Sequence, residues 1–176
     1  PLWGPPLTGG APCAVALQSR LPCSRTQRMT LHGLRQLDRP GILSLRLPGE
    51  EPRRALVTAI SAETVILQAG GQRWQMPLTS LARIWRGDYA TLWRQPEGVS
   101  GRIAQGDRGS AGEWLARQLN NMQAKGLIPA EANTLPARLS AFQRGQGIDA
   151  DGTAGPMTFM QVNLATGVDE PRLRKP

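Results

Sequence analysis

The chain has little of the chemistry that most catalytic and metal sites need. Its 176 residues include one histidine, His32, and two cysteines, Cys13 and Cys23. That set is too small for a structural zinc site, and no His/Asp cluster suggests a catalytic one. No metal and no cofactor are expected. There is no G-x-x-x-x-G-K-[ST] stretch to cradle a nucleotide phosphate. Aromatic residues make up 5% of the chain, and Tyr89 is the sole tyrosine. The aromatic strand of the common RNA-binding fold is therefore missing. No apolar run approaches the ~18 residues that a membrane helix requires. The opening PLWGPPLTGGAP is too rich in proline and glycine for the apolar segment of a signal peptide. It reads as an excised fragment, or as a mature domain whose targeting segment lies elsewhere.

Lysine is nearly absent too, with only Lys125 and Lys175, so a net charge of +8 is carried by arginine. Such a balance suits an anionic polymer: nucleic acid, anionic lipid, or a cell wall bearing peptide carboxylates. The arginines are scattered rather than gathered on one helix, which disfavours nucleic acid. With 20 glycines and 15 prolines the chain is cut into short elements, enough for one or two modest cores.

From the start, Pro1–Pro12 reads as loop, Cys13–Arg20 as a short helix, and Thr30–Leu37 as another, capped by Thr30. Cys23 lies between them. Cys13 and Cys23 either pair as a disulfide, the expected state, or remain buried thiols. A bridge closing so short a loop is worth about 2.5–3 kcal/mol in the chain-entropy model and requires an oxidising compartment. The period then changes to two. Ile42–Leu47, Arg54–Ile60, Thr64–Gln68 and Gln72–Met76 read as strands, with Gly70-Gly71 as a hairpin turn and Trp74 facing inward. Thr79 or Ser80 caps a helical turn holding Leu81, Ile84 and Trp85. Gly87-Asp88 breaks it, and Tyr89–Trp93 is a last strand. The sum is an antiparallel sheet preceded by two helices, an α+β unit.

Residues 97–108 read as a Gly-rich linker. Ser110–Gly126 is an amphipathic helix opened by a Ser110/Glu113 capping box. Leu139–Asn163 reads as helix, tight turn, helix. Gly145 and Gly147 stop the first helix, Asp149–Gly152 is turn chemistry, and Pro156 suits the first position of the second. Residues 169–176 have no apolar face and read as a frayed end or a docking segment.

Ala141-Phe142-Gln143, Gly147-Ile148 and Asp151-Gly152-Thr153-Ala154-Gly155-Pro156-Met157-Thr158 resemble the second repeat of the small three-helix peptidoglycan-binding domain. The resemblance implies a wall-binding role for Phe142, Gln143, Gly147, Asp151, Gly152, Gly155, Pro156 and Thr158. The family's usual DG-x-[FY]-G turn between repeats is absent around Leu127–Leu135. Upstream, Arg39-Pro40-Gly41-Ile42-Leu43, Arg54-Ala55-Leu56-Val57 and Leu81–Gly87 resemble the C-terminal half of the papain-like peptidase domain of bacteriocin exporters. A live member would carry histidine where Arg54 falls and aspartate near Gln68. Its nucleophile helix would precede residue 1. Arginine stays protonated and cannot act as a base at neutral pH, and Gln68 carries no charge to orient an imidazolium. Cys13 falls on a different helix of that pattern, and His32 reads as an ordinary surface residue.

Together with Trp85-Arg86-Gly87-Asp88-Tyr89-Ala90-Thr91-Leu92-Trp93-Arg94-Gln95-Pro96, both halves resemble the periplasmic region of the general secretion pathway A (ExeA-type) family. The expected organisation is a degenerate peptidase-like α+β domain (1–96), a linker (97–108), an all-α three-helix peptidoglycan-binding domain (109–168) and a tail (169–176). The resemblance implies a non-catalytic periplasmic wall-binding and assembly module of type II secretion, the C-terminal part of an inner-membrane protein. It helps place the outer-membrane secretin. Implied partners are peptidoglycan, the B protein of the pathway, the secretin and further copies of the chain through the peptidase-like domain. The alternative is a cysteine peptidase or wall hydrolase with a wall-binding domain.

Overall fold

In the computed structural model of the protein, residues 2–3, 12–18, 20–99, 101–104 and 109–174 are described. They form two units: Pro1–Trp93 with Glu170–Pro176, and Arg94–Asp169. No helix among the described residues is long and apolar enough to cross a membrane.

The first unit is an α+β fold. It contains α1 (Pro12–Gln18), β1 (Cys23–Thr26), α2 (Leu31–Leu37), β2 (Gly41–Leu45), β3 (Arg53–Ile60), β4 (Thr64–Ala69), β5 (Gln72–Pro77), α3 (Leu78–Ile84) and β6 (Trp85–Leu92). The strands make one six-stranded sheet in the order β1-β6-β2-β3-β4-β5, each neighbouring pair antiparallel. Alternation decides which side is buried. Leu43 and Leu45 of β2, Ala55, Val57 and Ala59 of β3, and Trp85 and Tyr89 of β6 face the core, joined by Leu34 and Leu37 of α2. The α2 cap is as expected: the Thr30 hydroxyl accepts a 2.9 Å bond from Gly33 N. Gly70 and Gly71, both at positive φ, close the β4–β5 hairpin in two residues, the geometry that only such residues supply without strain.

Several expectations are corrected. Cys23 does not lie in a connection: it begins β1, and Cys23–Thr26 pair with Leu92–Tyr89 of β6. No local alternation marks CSRT as a strand, and its partner supplies the hydrogen bonds. Trp85 is not helical but opens β6, which runs unbroken through Gly87-Asp88. Gly87 is there for closeness, because a Cβ at its φ of +92° would lie 2.9 Å from the carbonyl oxygens of Gln27 and Met29. Trp74 is 42% exposed rather than inward, since β5 is the last strand of the sheet. The α3 N-cap is Pro77, with no side-chain cap bond from Thr79 or Ser80.

The C-terminal tail docks on this unit. Arg174 forms a parallel bridge with Ala59, its N donating to Thr58 O at 2.9 Å and its O accepting from Ile60 N at 3.3 Å. Leu173 N donates to Asp38 O at 3.3 Å, and the Leu173 and Glu170 side chains are buried. The N-terminal unit thus includes residues beyond the expected boundary at 96. The final residues, 175–176, lie outside the described residues.

The second unit carries α4 (Ser110–Ala124), α5 (Leu135–Gly145) and α6 (Pro156–Thr166). Leu115, Leu119, Met122, Leu139, Phe142 and Phe159 are buried in it, and the rings of Trp114 and Phe159 meet at 6.0 Å between centroids. The α4 N-cap is Gly109, with no side-chain cap bond. Ser110 is already helical, so the expected capping box does not form. The expected linker is partly structured: Ile103 and Ala154 exchange two backbone hydrogen bonds of 2.9 Å. Residues 105–108 of that linker lie outside the described residues.

Candidate functional site

The turn between α5 and α6 gathers most of the residues singled out for wall binding. Gln143 is its centre and is 1% exposed. Its Nε2 donates toward Thr153 O (3.0 Å), Thr158 Oγ1 (3.2 Å) and Asp151 Oδ1 (3.3 Å), so two hydrogens are shared among three acceptors. Its Oε1 accepts from Gly152 N at 3.3 Å. Asp151 Oδ1 also accepts from Thr153 N at 2.9 Å, the local bond that favours Asp in such a turn. Gly147 and Gly152 take φ of 63° and 70°. Gly155 is the N-cap of α6 and Pro156 its first residue. Phe142, Gln143, Gly155 and Thr158 are buried, and Asp151 is exposed. The exposed Asp151 Oδ2 sits 3.9 Å from Arg102 Nη2. The buried members therefore shape the turn, and Asp151 with its neighbours forms the surface it presents.

Gln143→Ala is expected to leave Gly152 N and the Thr158 hydroxyl without their partner and to cost about 2 kcal/mol. Hydrogen exchange at the Gly152 and Thr153 amides measures it. Unchanged protection would show that the glutamine does not hold the turn.

In the first unit the residues singled out by the peptidase resemblance are placed as follows. Arg54 is exposed on β3 opposite Ser44. Gln68 is exposed on β4, opposite Leu56 and Arg73. His32 is exposed on α2. Cys13 is joined to Cys23 in a disulfide with Cα atoms 5.5 Å apart, so its sulfur is no nucleophile in this state. Among the described residues no three His, Cys, Asp or Glu side chains are grouped to hold a metal ion.

The aromatic signature of β6 has a structural basis that sequence reasoning did not supply. Trp85 Nε1 donates to Asp88 O at 2.9 Å, and Asp88 meets Arg46 at 3.4 Å. The Tyr89 hydroxyl donates to Arg39 O at 2.8 Å, and Thr91 Oγ1 to Pro40 O at 2.7 Å. Burial pushes the Tyr89 phenol far above its ordinary range; the Thr91 bond and the Arg39 charge oppose this less strongly. Arg39 itself is fully buried. Its Nη2 donates to the buried Glu170 carboxylate, its Nη1 to Leu92 O at 3.3 Å, and its Cζ lies 5.6 Å from the Trp3 ring centroid. Nothing in a local window announces that pair, since its members are 131 positions apart.

This chain is similar to known proteins over nearly its whole length. It is 28% identical over 165 residues to general secretion pathway protein A of Aeromonas hydrophila, covering 93% of this chain and 30% of that protein. It is 26% identical over 158 residues to the putative general secretion pathway protein A of Escherichia coli strain K12, covering 88% and 32% respectively. The chain thus spans about a third of the length of these relatives. Among solved structures it matches a periplasmic domain of the EpsAB fusion protein of the Vibrio vulnificus type II secretion system. That match has a TM-score of 0.50 and 27% identity, over 86% of this chain and 68% of that one. The family model described as GspA, peptidase C39-like domain, matches residues 8–95, half of the chain. The chain therefore belongs to the GspA family and carries its peptidase C39-like domain.

Proposed function

We propose that this chain is a non-catalytic periplasmic module of a type II secretion system. It holds peptidoglycan through the helical unit and helps place the outer-membrane secretin through the wall. The observation that carries the wall-binding part is the α5–α6 turn, in which buried Gln143 fixes Asp151–Thr158 while Asp151 stays exposed. Wall polymer carries many hydroxyl and amide groups, whose hydrogen bonds an exposed carboxylate such as Asp151 accepts, and peptide carboxylates, which suit the chain's net positive charge. The periplasmic setting is supported by the match to the EpsAB periplasmic domain. That relative is an A–B fusion, which supports a B-type protein as partner. Self-association belongs to the sheet unit, where exposed Trp74 on the last strand leaves apolar surface. The absence of catalysis is supported by Arg54 and Gln68 at the positions a live peptidase would fill, and by Cys13 bound to Cys23.

The test is sedimentation of the chain with purified peptidoglycan across a salt series. The wild type is expected to co-sediment and to release no muropeptide. Gly152→Val places a β-branched residue at φ +70°, a strain of about 1–2 kcal/mol, and should weaken sedimentation several-fold while the helices persist by circular dichroism. A wild type that stays in the supernatant at every salt concentration would remove wall binding. Muropeptide release abolished by Cys13→Ser would restore the hydrolase reading.

A further inference from the structure

The sheet unit holds a second feature, unrelated to the wall-binding turn. A cavity of about 170 Å³ opens between strands β3 to β5 and the docked C-terminal segment. Thr58, Gln68, Arg73, Arg172 and Arg174 line it, with Leu2 and Ala59 supplying apolar wall, and no acidic residue is among the lining. Three arginines therefore line one small space. Backbone bonds to Thr58 and Ile60 hold Arg174 in place, and Arg73 is fixed by its pairing opposite Gln68. Arg172 Nη1 is buried with no hydrogen-bond partner. A buried donor left without an acceptor costs about 1–3 kcal/mol, so water or a bound group is needed to complete it.

The charges around Arg172 are accounted for. Burial and then the Arg39 charge push its guanidinium below the ordinary value, while Glu170 and Asp38 pull the other way. Neither carboxylate lines the cavity, and Glu170 is engaged by Arg39. An incoming anion would relieve both the desolvation and the repulsion.

We propose that this cavity binds a carboxylate presented by a peptide, as an acidic side chain or as a chain end. A guanidinium matches a carboxylate with two parallel hydrogen bonds. Gln68 and Thr58 supply an amide and a hydroxyl for the neighbouring peptide group. Leu2 and Ala59 cover the carbon stem that joins the carboxylate to its chain; a bare phosphate would leave both facing water.

The full chain is titrated at fixed ionic strength and followed by NMR of the arginine Nε–Hε resonances. Three probes are used: acetyl-Gly-Glu-Gly-amide, acetyl-Gly-Gln-Gly with a free C-terminus, and acetyl-Gly-Gln-Gly-amide. Saturable shifts at Arg172 and Arg174 are expected with at least one of the first two and not with the third; which one binds identifies the source. Arg73→Gln and Arg174→Gln should each weaken binding at least tenfold. Arg83→Gln, at an exposed position of α3 outside the cavity, should leave it unchanged and so excludes attraction by net charge alone. Shifts that never saturate would overturn the proposal. Equal binding of the amidated glutamine probe, equal loss in Arg83→Gln, or a response to inorganic phosphate alone would do the same. Gly152→Val, which alters only the wall-binding turn, should leave these titrations unchanged, which separates this site from that reading.

Discussion

Glu170→Ala is expected to destabilise the sheet unit by about 3–5 kcal/mol, although the residue lies in a tail whose sequence shows no apolar face. Arg39 is wholly buried, and its charge is neutralised in the core by Glu170. Removing one member of a buried ion pair strands the other in a medium that cannot solvate it. The remaining contacts of Arg39 do not compensate: Leu92 O is 3.3 Å away and Nε has no partner. The double variant Arg39→Met/Glu170→Leu should lose much less than the single one, because no uncompensated charge is left. Urea unfolding, with hydrogen exchange at the β2 and β6 amides, measures both. A Glu170→Ala midpoint equal to wild type would mean that the pair is not formed in solution. Deleting residues 169–176 should cost at least as much as Glu170→Ala, since the Leu173 side chain and the β3 backbone bonds go too. A fragment ending at Pro96 is accordingly a poor substitute for the sheet unit in any binding experiment.

The second large effect is expected at Gly41. A Cβ there would fall 2.6 Å from Ala90 O and into the Tyr89 ring at Cε2. The ring cannot swing away without giving up its hydroxyl bond to Arg39 O. Gly41→Val should therefore cost about 3 kcal/mol or more from overpacking, together with the strain of separating β2 from β6. Tyr89→Ser added to Gly41→Val should recover part of the loss if the ring is the obstacle. Thermal unfolding monitored by far-ultraviolet circular dichroism reads the result, because that backbone signal does not depend on the tyrosine that the double variant removes. A Gly41→Val protein that melts like the wild type would show that the strands separate at no cost.

Local chemistry wrote much of this fold into the chain. Thr30 announced α2 through its own hydroxyl, and Gly70-Gly71 announced the hairpin because a two-residue loop needs two positive φ values. Alternation placed Ala55, Val57 and Ala59 on one side of β3. Pro156 and Asp151-Gly152 marked a turn and a helix start within a few residues of each other. Each of these signals is an interaction between near neighbours, or a backbone preference of a single residue, so a short window contains it.

What only the tertiary structure decided depends on partners remote in sequence. CSRT is a strand because β6 hydrogen-bonds it, sixty or more positions later. Gly41 and Gly87 are required by the approach of other backbone and a ring, not by turns. Gln143 is legible as part of a motif, but that it is buried and holds the turn, while Asp151 is left outside, follows from packing. The tail has no apolar face by its own pattern. It becomes part of the sheet unit because one carboxylate satisfies an arginine 131 positions earlier and two backbone groups meet β3. A charge is worth little to stability in water and a great deal once water is excluded, and exclusion is a property of the assembled fold.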